Sequence, residues 1–109
     1  MEHESAFFAA TERVLAAIGS ALDAAGHDEL DWSENDGVLT IECADERIVV
    51  NRHLPNRELW VAAPSGGFHF RVREGRWRDT RSGEELGTVL RRLLQEQGIS
   101  AIDFPPLAG

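Results

Sequence analysis

The chain has 109 residues, of which 42 % are hydrophobic and 28 % are charged, and it carries a net charge of −8. Length and composition are those of one soluble domain with a modest core, so we expect residues 1–109 to form a single domain. The single cysteine, Cys43, excludes an internal disulfide and metal centres built on several thiolates. The sequence has neither an apolar run of the roughly 20 residues that span a bilayer nor the basic and apolar regions of a secretory signal. We therefore predict a cytoplasmic protein without membrane association.

The charge is distributed unevenly along the chain. Residues 1–46 contain 12 acidic residues and one basic residue, a net charge of −11, whereas residues 47–109 contain ten arginines and seven acidic residues, a net charge of +3. An acidic front half repels phosphate backbones, so we expect no nucleic-acid partner. Cations and basic protein surfaces are the partners that this distribution favours, and an acidic surface that serves only solubility is the alternative.

The first predicted element is a helix over residues 5–25. Side chains that recur every three to four residues form one stripe along it. The stripe consists of Phe7, Thr11, Val14, Leu15, Ile18 and Leu22. Gly26 is the expected stop.

Short alternating runs separated by turn residues follow the helix. They predict strands at 29–33, 38–43, 47–51, 58–63, 67–72 and 76–79. Asn35-Asp36-Gly37 is a strong hairpin signal, because these residue types tolerate positive φ. The other connections are also short, which predicts that consecutive strands are antiparallel neighbours.

A second helix is predicted from Ser82 to the stop at Gly98, with Ser82 and Glu85 forming a capping box. Its buried face is expected to consist of Leu86, Val89, Leu90, Leu93 and Leu94. The order helix, five or six strands, helix predicts an α+β fold, a two-layer sandwich with both helices on one face of an antiparallel sheet. Phe104 could add a last extended segment.

Alternation assigns the two faces of this sheet. The face toward the helices is expected to carry Leu39, Ile41, Ile48, Val50, Leu59, Val61, Phe68, Phe70, Val72 and Trp77. The outer face is then expected to carry Val49, Asn51, Trp60, Ala62, His69, Arg71, Arg76 and Arg78. A solvent-facing tryptophan beside arginine and histidine indicates a partner interface, and a ring lying flat under a loop is the alternative.

In order and spacing, several stretches of the sequence resemble the frataxin family, and in particular its bacterial, CyaY-type members. The stretches are Asp-Gly-Val-Leu-Thr-Ile at 36–41, Ile-Val-Val-Asn-Arg at 48–52 followed by Pro55, Leu-Trp-Val-Ala at 59–62, Ser-Gly-Gly-Phe-His-Phe at 65–70, Trp77, and the turn at 79–84. The resemblance covers roughly residues 5–104. It implies a frataxin-like fold and a bacterial iron-binding regulator of iron–sulfur cluster assembly that contacts the cysteine desulfurase and the scaffold protein.

The resemblance also implies site residues. In the family the first helix and first strand form an acidic ridge, and carboxylates suit iron(II) and iron(III) without thiolates. The candidate ligands for weakly bound iron are Asp23, Asp28, Glu29 and Asp31, with Glu4, Glu12 and Glu34 as outer members. Asn51 and Trp60, with His69 and Arg71 beside them, correspond to the surface that meets the scaffold protein.

The chain departs from the family in two places. His53 stands where the family commonly has Gln, and the first helix has Gly19, Ser20, Ala24 and Ala25 where the family usually has acidic residues. The acidic ridge is therefore thinner here.

Four histidines, His3, His27, His53 and His69, form no recognisable site, although His27 could add a nitrogen ligand beside Asp28. We expect a protein that is not an enzyme, and a monomer unless iron drives oligomerisation. One alternative is a ferroxidase or iron-storage protein, although the Glu-x-x-His sequence of many di-iron sites does not occur. The other is a metal-independent module whose acidic residues dock a basic partner.

Overall fold

A computed structural model describes residues 4–100 and 102–109, so His3 lies outside the described residues. Two helices flank six strands. In chain order the elements are α1 (Glu4–Ala25), β1 (Leu30–Asn35), β2 (Val38–Cys43), β3 (Glu46–His53), β4 (Glu58–Ala63), β5 (Gly66–Arg73), β6 (Arg76–Asp79) and α2 (Leu86–Glu96). The predicted α+β class and the predicted order of elements are confirmed.

The six strands form one antiparallel sheet in the order β1-β2-β3-β4-β5-β6, with each strand paired to its neighbour in sequence. A two-residue turn, Asp36-Gly37, connects β1 to β2. Asp36 and Gly37 have φ angles of 52° and 83°, the paired positive values of a two-residue hairpin that matches the twist of the strands. The hairpin predicted at 35–37 is therefore confirmed.

Both helices pack on one face of the sheet and enclose the core. The predicted stripe of α1 and the predicted apolar face of α2 are buried. On the sheet, the inward-facing residues Leu39, Ile41, Ile48, Val50, Leu59, Val61, Phe70 and Trp77 are at most 2 % exposed. Phe68 and Val72 pack against this core while half-buried. The assignment of faces by alternation is thus correct.

The start of α2 differs from the prediction. The helix begins at Leu86, and its N-cap, Glu85, makes no side-chain capping hydrogen bond. The carboxylate of Asp79 instead accepts hydrogen bonds from the amides of Arg81 and Ser82, at 2.7 and 3.2 Å. Because these bonds hold the segment after β6 as a turn, the predicted capping box of Ser82 and Glu85 is wrong.

The segment after α2 returns along the sheet. Trp77 N–H donates to the carbonyl of Leu107 at 3.1 Å, and Gly109 N–H donates to Gly75 at 3.1 Å. Ile102 and Leu107 are buried in the core. The extended segment suggested by Phe104 therefore exists and continues to the edge of β6.

By length and composition alone, α1 is long and apolar enough to cross a membrane. The prediction that no segment reaches this length missed it, because the apolar residues of α1 are interrupted by polar ones. In the fold, half of its most apolar stretch is buried. The core of the sandwich accounts for this apolar character, because the stripe of α1 faces the sheet.

Candidate functional site

The corner where α1 turns into β1 brings three of the predicted iron ligands together. The helix ends at Ala25, and Gly26, with a φ of 65°, reverses the chain before the loop leads into the edge strand β1. Asp23, Asp28 and Asp31 all line one polar depression of about 410 Å³. We call this depression with its three carboxylates the acidic corner.

One wall of the acidic corner is formed by Trp32. Its indole lies across Gly19, where a β-carbon would come within 2.5 Å of the ring. The indole Nε1–H donates a hydrogen bond of 2.8 Å to Asp23 Oδ1. An acidic side chain at position 19 would therefore overlap the ring of Trp32.

The remaining predicted ligands have other partners or lie far away. Glu12 pairs with Arg52 at 3.1 Å, and Glu34 accepts a hydrogen bond of 3.2 Å from the amide of Gly37. Glu4 precedes Asp23 by 19 residues on one helix, a separation of about 28 Å. A single ion cannot bridge these groups and the acidic corner.

His27 and Glu29 tie the loop of the acidic corner in place. The ring of His27 has Nε2 at 2.9 Å from the carbonyl of Ser100 and Nδ1 at 3.6 Å from Glu29 Oε1. Both ring nitrogens thus face a partner, which disfavours the imidazole as a metal ligand.

Carboxylates at this corner suit a hard cation, although they form no enclosure. Within 4–100 and 102–109, no group of three or more His, Cys, Asp or Glu side chains is close enough to surround an ion. Exposed carboxylate oxygens of this kind are ligands that a hydrated, hard cation accepts. Cys43 is fully buried, and this burial raises the pKa of its thiol, so it provides no ligand.

The sequence interpretation overlooked one carboxylate at this edge. Glu42 on β2 lies directly opposite Asp31 on β1, and Arg47 reaches it at 3.9 Å. Like charges that face each other across two strands repel, which favours a cation or a basic partner there. The strand register would have revealed Glu42, because Asn35-Asp36-Gly37 fixes the pairing.

On the face of the sheet that points away from the helices, the four predicted partner-binding residues lie where alternation places them. Trp60 on β4 is directly opposite Asn51 on β3 and His69 on β5. Arg71 follows His69 by two residues and points to the same side. Together with Val38, Val49 and Ala62, three of these residues line a mostly apolar depression of about 430 Å³. This depression lies on the outer face of the sheet, the face that points away from the helices.

Trp60 is half-buried between two histidines, which differs from the freely exposed ring that we expected. The ring centroid lies 3.6 Å from that of His53 and 4.5 Å from that of His69, with interplanar angles of 11° and 7°. The ring therefore stands upright in a three-ring stack, and the alternative of a ring lying flat under a loop is wrong. His53 was missed because it lies diagonally across the strands from Trp60.

A buried carboxylate lies beneath this stack. Glu58, the first residue of β4, is 5 % exposed although it points to the outer face. Its oxygens accept hydrogen bonds from Trp60 Nε1–H at 2.9 Å and from Arg71 Nη2–H at 2.8 Å. Sequence alternation alone places Glu58 on this face, but nothing in the pattern indicates that it is buried.

Comparison with known proteins gives a consistent result. A family model for the frataxin-like domain matches residues 2–99. The chain is 41 % identical over 108 residues to the iron–sulfur cluster assembly protein CyaY of Neisseria meningitidis serogroup B, covering 98 % of this chain and all of that protein. It is 46 % identical over 99 residues to CyaY of Ralstonia nicotianae, covering 86 % and 87 % of the two chains.

Solved structures share the fold. Frataxin from Psychromonas ingrahamii superposes with a TM-score of 0.87 at 27 % identity, covering 93 % of this chain and 96 % of the other. Trimeric frataxin from the yeast Saccharomyces cerevisiae, complexed with ferrous iron, gives a TM-score of 0.71 at 26 % identity, covering 89 % and 88 %. The family model, the similar relatives and the shared fold show that this chain belongs to the frataxin family.

Proposed function

We propose that this chain acts in iron–sulfur cluster assembly in the bacterial cytoplasm, as a non-catalytic protein that binds iron and regulates assembly or supplies iron to it. Its bacterial relatives are named as iron–sulfur cluster assembly proteins, and a solved yeast relative is complexed with ferrous iron. The observation that carries the proposal is the acidic corner, where Asp23, Asp28 and Asp31 line one depression.

The chemistry of the acidic corner favours release as much as binding. The three carboxylates are exposed, and Asp23 already shares Oδ1 with Trp32, so an ion there would keep several waters. Hydrated iron at such a site exchanges readily. This property suits a sensor or donor, in which iron is the cargo.

Two surfaces are available for the assembly machinery. The acidic edge made by β1 and the end of α1 would dock a basic patch of the cysteine desulfurase. Attraction between exposed charges of this kind is screened beyond about 8–10 Å at physiological salt, so it weakens as salt is added. The outer face, with Trp60 and Asn51, would dock the scaffold protein. The two surfaces lie on different parts of the sheet, so both partners could bind one monomer.

Anaerobic titration with Fe(II), followed by NMR, tests the iron site. The amides of residues 23–32 should shift first, and replacement of Asp23, Asp28 and Asp31 by Asn should weaken binding at least tenfold, because three carboxylates are lost while Asn can still accept the hydrogen bond from Trp32. The matched control replaces Asp45, Glu46 and Asp103 by Asn, Gln and Asn, which changes the net charge equally. Selective shifts near His69 with a silent acidic corner would refute the assignment.

The docking surfaces need separate tests with the two partners. Changing Glu29 and Asp31 to Lys should weaken the complex with the desulfurase, and added salt should weaken the complex of the parent protein. Trp60→Ala should weaken the complex with the scaffold protein by about 2 kcal/mol or more. A desulfurase affinity that is equal at low and high salt would contradict electrostatic docking.

A metal-independent module is the second candidate, and one observation favours it. Asp23, Glu12 and Glu34 already accept hydrogen bonds or pair with cations within the chain. If this candidate is correct, the Fe(II) titration leaves the acidic corner unchanged while charge reversal still weakens the desulfurase complex. A ferroxidase would instead consume oxygen when Fe(II) is added in air, and we expect no consumption beyond that of the variant lacking the three carboxylates.

A further inference from the structure

The carboxylate of Glu58 is the feature that the proposed iron site and docking surfaces leave unexplained. Among the described residues, Glu58 and Asp79 are the buried acidic side chains. Asp79 holds a turn through backbone amides, whereas the hydrogen bonds to Glu58 come from side chains of the outer face. Burying a carboxylate costs free energy unless hydrogen-bond donors compensate it. The donors that surround Glu58 therefore indicate which side chains it holds in place.

The hydrogen bond to Glu58 fixes which edge of the Trp60 ring points toward the protein. Stacking against His53 and His69 restricts the plane of the ring but does not by itself determine which edge points outward. With Nε1–H held at 2.9 Å by Glu58 Oε1, the nitrogen edge is turned toward the buried carboxylate. An approaching protein therefore meets the carbon edge of a stack that is already assembled.

The other oxygen of Glu58 orients the neighbouring cation. Arg71 Nη2 lies 2.8 Å from Glu58 Oε2, although the side chain of Arg71 is 53 % exposed. An exposed arginine without such a bond samples many rotamers, and that freedom is lost on binding. One buried carboxylate thus pre-orders two of the four residues assigned to partner binding.

We propose that Glu58 is a positioning residue of the outer face, which holds Trp60 and Arg71 in the conformation that a protein partner recognises. The proposal rests on the docking role of the outer face proposed above. Its physical basis is preorganisation, because side chains that are ordered before binding lose less entropy in the complex.

The test compares Glu58→Leu with Glu58→Gln. Leu removes both hydrogen bonds, whereas the amide oxygen of Gln can still accept from the indole of Trp60. In the free protein, the indole N–H signal of Trp60 should show a reduced heteronuclear NOE in Glu58→Leu and a nearly parental one in Glu58→Gln. Scaffold affinity should fall about tenfold in Glu58→Leu and less in Glu58→Gln, which is the size expected from one or two side chains that must be ordered on binding.

A double-mutant cycle with Trp60→Ala separates positioning from general stability. In the background of Trp60→Ala, the change Glu58→Leu should cost little further affinity, because the ring to be positioned is absent. Trp60→Phe gives a milder second route, since it keeps an aromatic ring while removing the donor to Glu58, and it should also lower affinity. Urea unfolding of each variant shows whether the population tested is folded.

The outcomes distinguish this proposal from the docking role on which it rests. If Trp60→Ala does not weaken scaffold binding, the docking role of the outer face and the positioning role both fail. If Trp60→Ala weakens binding but Glu58→Leu leaves it unchanged, or leaves the indole as ordered as in the parent, only the positioning role is overturned.

Discussion

Gly19 and Trp32 are matched to each other across the contact between α1 and β1. The glycine lies within a helix, where alanine is ordinarily more stable by about 1 kcal/mol. Its lack of a side chain lets the indole lie flat on α1 and reach Asp23 with Nε1–H. Gly19 thus weakens the helix locally, but it makes room for Trp32 to form one wall of the acidic corner.

We predict that Gly19→Ala lowers the free energy of unfolding by about 1–3 kcal/mol, because the added methyl group would overlap the ring of Trp32. Ser20→Ala on the same helix is the control, since Ser20 is exposed and the change tests helix propensity alone. Urea unfolding gives both values. A stabilised Gly19→Ala would mean that Trp32 does not pack on α1.

Arg52 on β3 links the sheet to α1. Its side chain is 10 % exposed, with the guanidinium 4.1 Å from the ring centroid of Phe8 and hydrogen-bonded to Glu12 at 3.1 Å. This contact holds α1 against β3. It also gives Glu12, which shares a helix face with Asp23, a cationic partner within the chain.

Among the elements, α2 shows how a helix can begin without a side-chain cap. The turn before it is joined to its exposed face by Glu84 and Arg92, whose two nitrogen–oxygen distances are 2.9 and 3.1 Å. A bidentate pair of this kind is stronger than a single contact between exposed charges. The hydrogen bond from Arg92 lowers the pKa of the Glu84 carboxyl group.

Because the pKa of Glu84 is lower in the folded state than in the unfolded chain, its contribution to stability is present at neutral pH. The contribution is lost as the pH falls from the ordinary carboxyl range through the folded-state pKa. We therefore predict that Arg92→Gln raises the pKa of Glu84 toward its ordinary value in an NMR titration. The stability difference between the parent and Arg92→Gln should also shrink toward acidic pH.

Arg91→Gln is the matched control for this pair, because Arg91 is a neighbouring exposed arginine on α2. It should leave the titration of Glu84 unchanged. An equal shift in both variants would show that general charge, and not the contact with Arg92, sets the pKa of Glu84.

At the scale of the whole molecule, the sequential strand order converts the charge gradient of the sequence into a spatial one. The acidic corner lies at the edge formed by β1. On β5 and β6 at the other edge, Arg71 is opposite Arg78 and Arg73 is opposite Arg76. The molecule therefore has an acidic edge and an arginine-rich edge, and at the second edge Arg71 and Arg76 pair with Glu58 and Glu85.

The segment after α2 completes the core. Leu107 is 3 % exposed, and its carbonyl accepts the hydrogen bond of Trp77 N–H. We predict that Leu107→Ala lowers the free energy of unfolding by about 2–4 kcal/mol, because it creates a cavity beside the sheet. Asp103→Ala, at an exposed position of the same segment, should change it by less than about 0.5 kcal/mol. Equal effects in urea unfolding would mean that the segment does not belong to the core.

The sequence by itself determined the elements, their order, the two faces of the sheet and the family resemblance. These features follow from local periodicity and turn residues: alternation placed Leu59 inward and Trp60 outward, and Asp36-Gly37 fixed the first hairpin. Such patterns are read over a few neighbouring residues, so they need no knowledge of distant contacts. Position on a face could therefore be predicted for every residue assigned to partner binding.

Only the tertiary structure decided which side chains meet. Glu58 is buried because Trp60 on its own strand and Arg71, 13 residues further along the chain, close over it, and Glu12 is taken by Arg52 across 40 residues. Asp23, Asp28 and Asp31, by contrast, lie within eight residues of one another, so their grouping at one corner followed from the local order of helix, loop and strand. Spacing along a strand or helix fixes the direction of a side chain, but its rotamer and its partner depend on residues that folding brings from other elements.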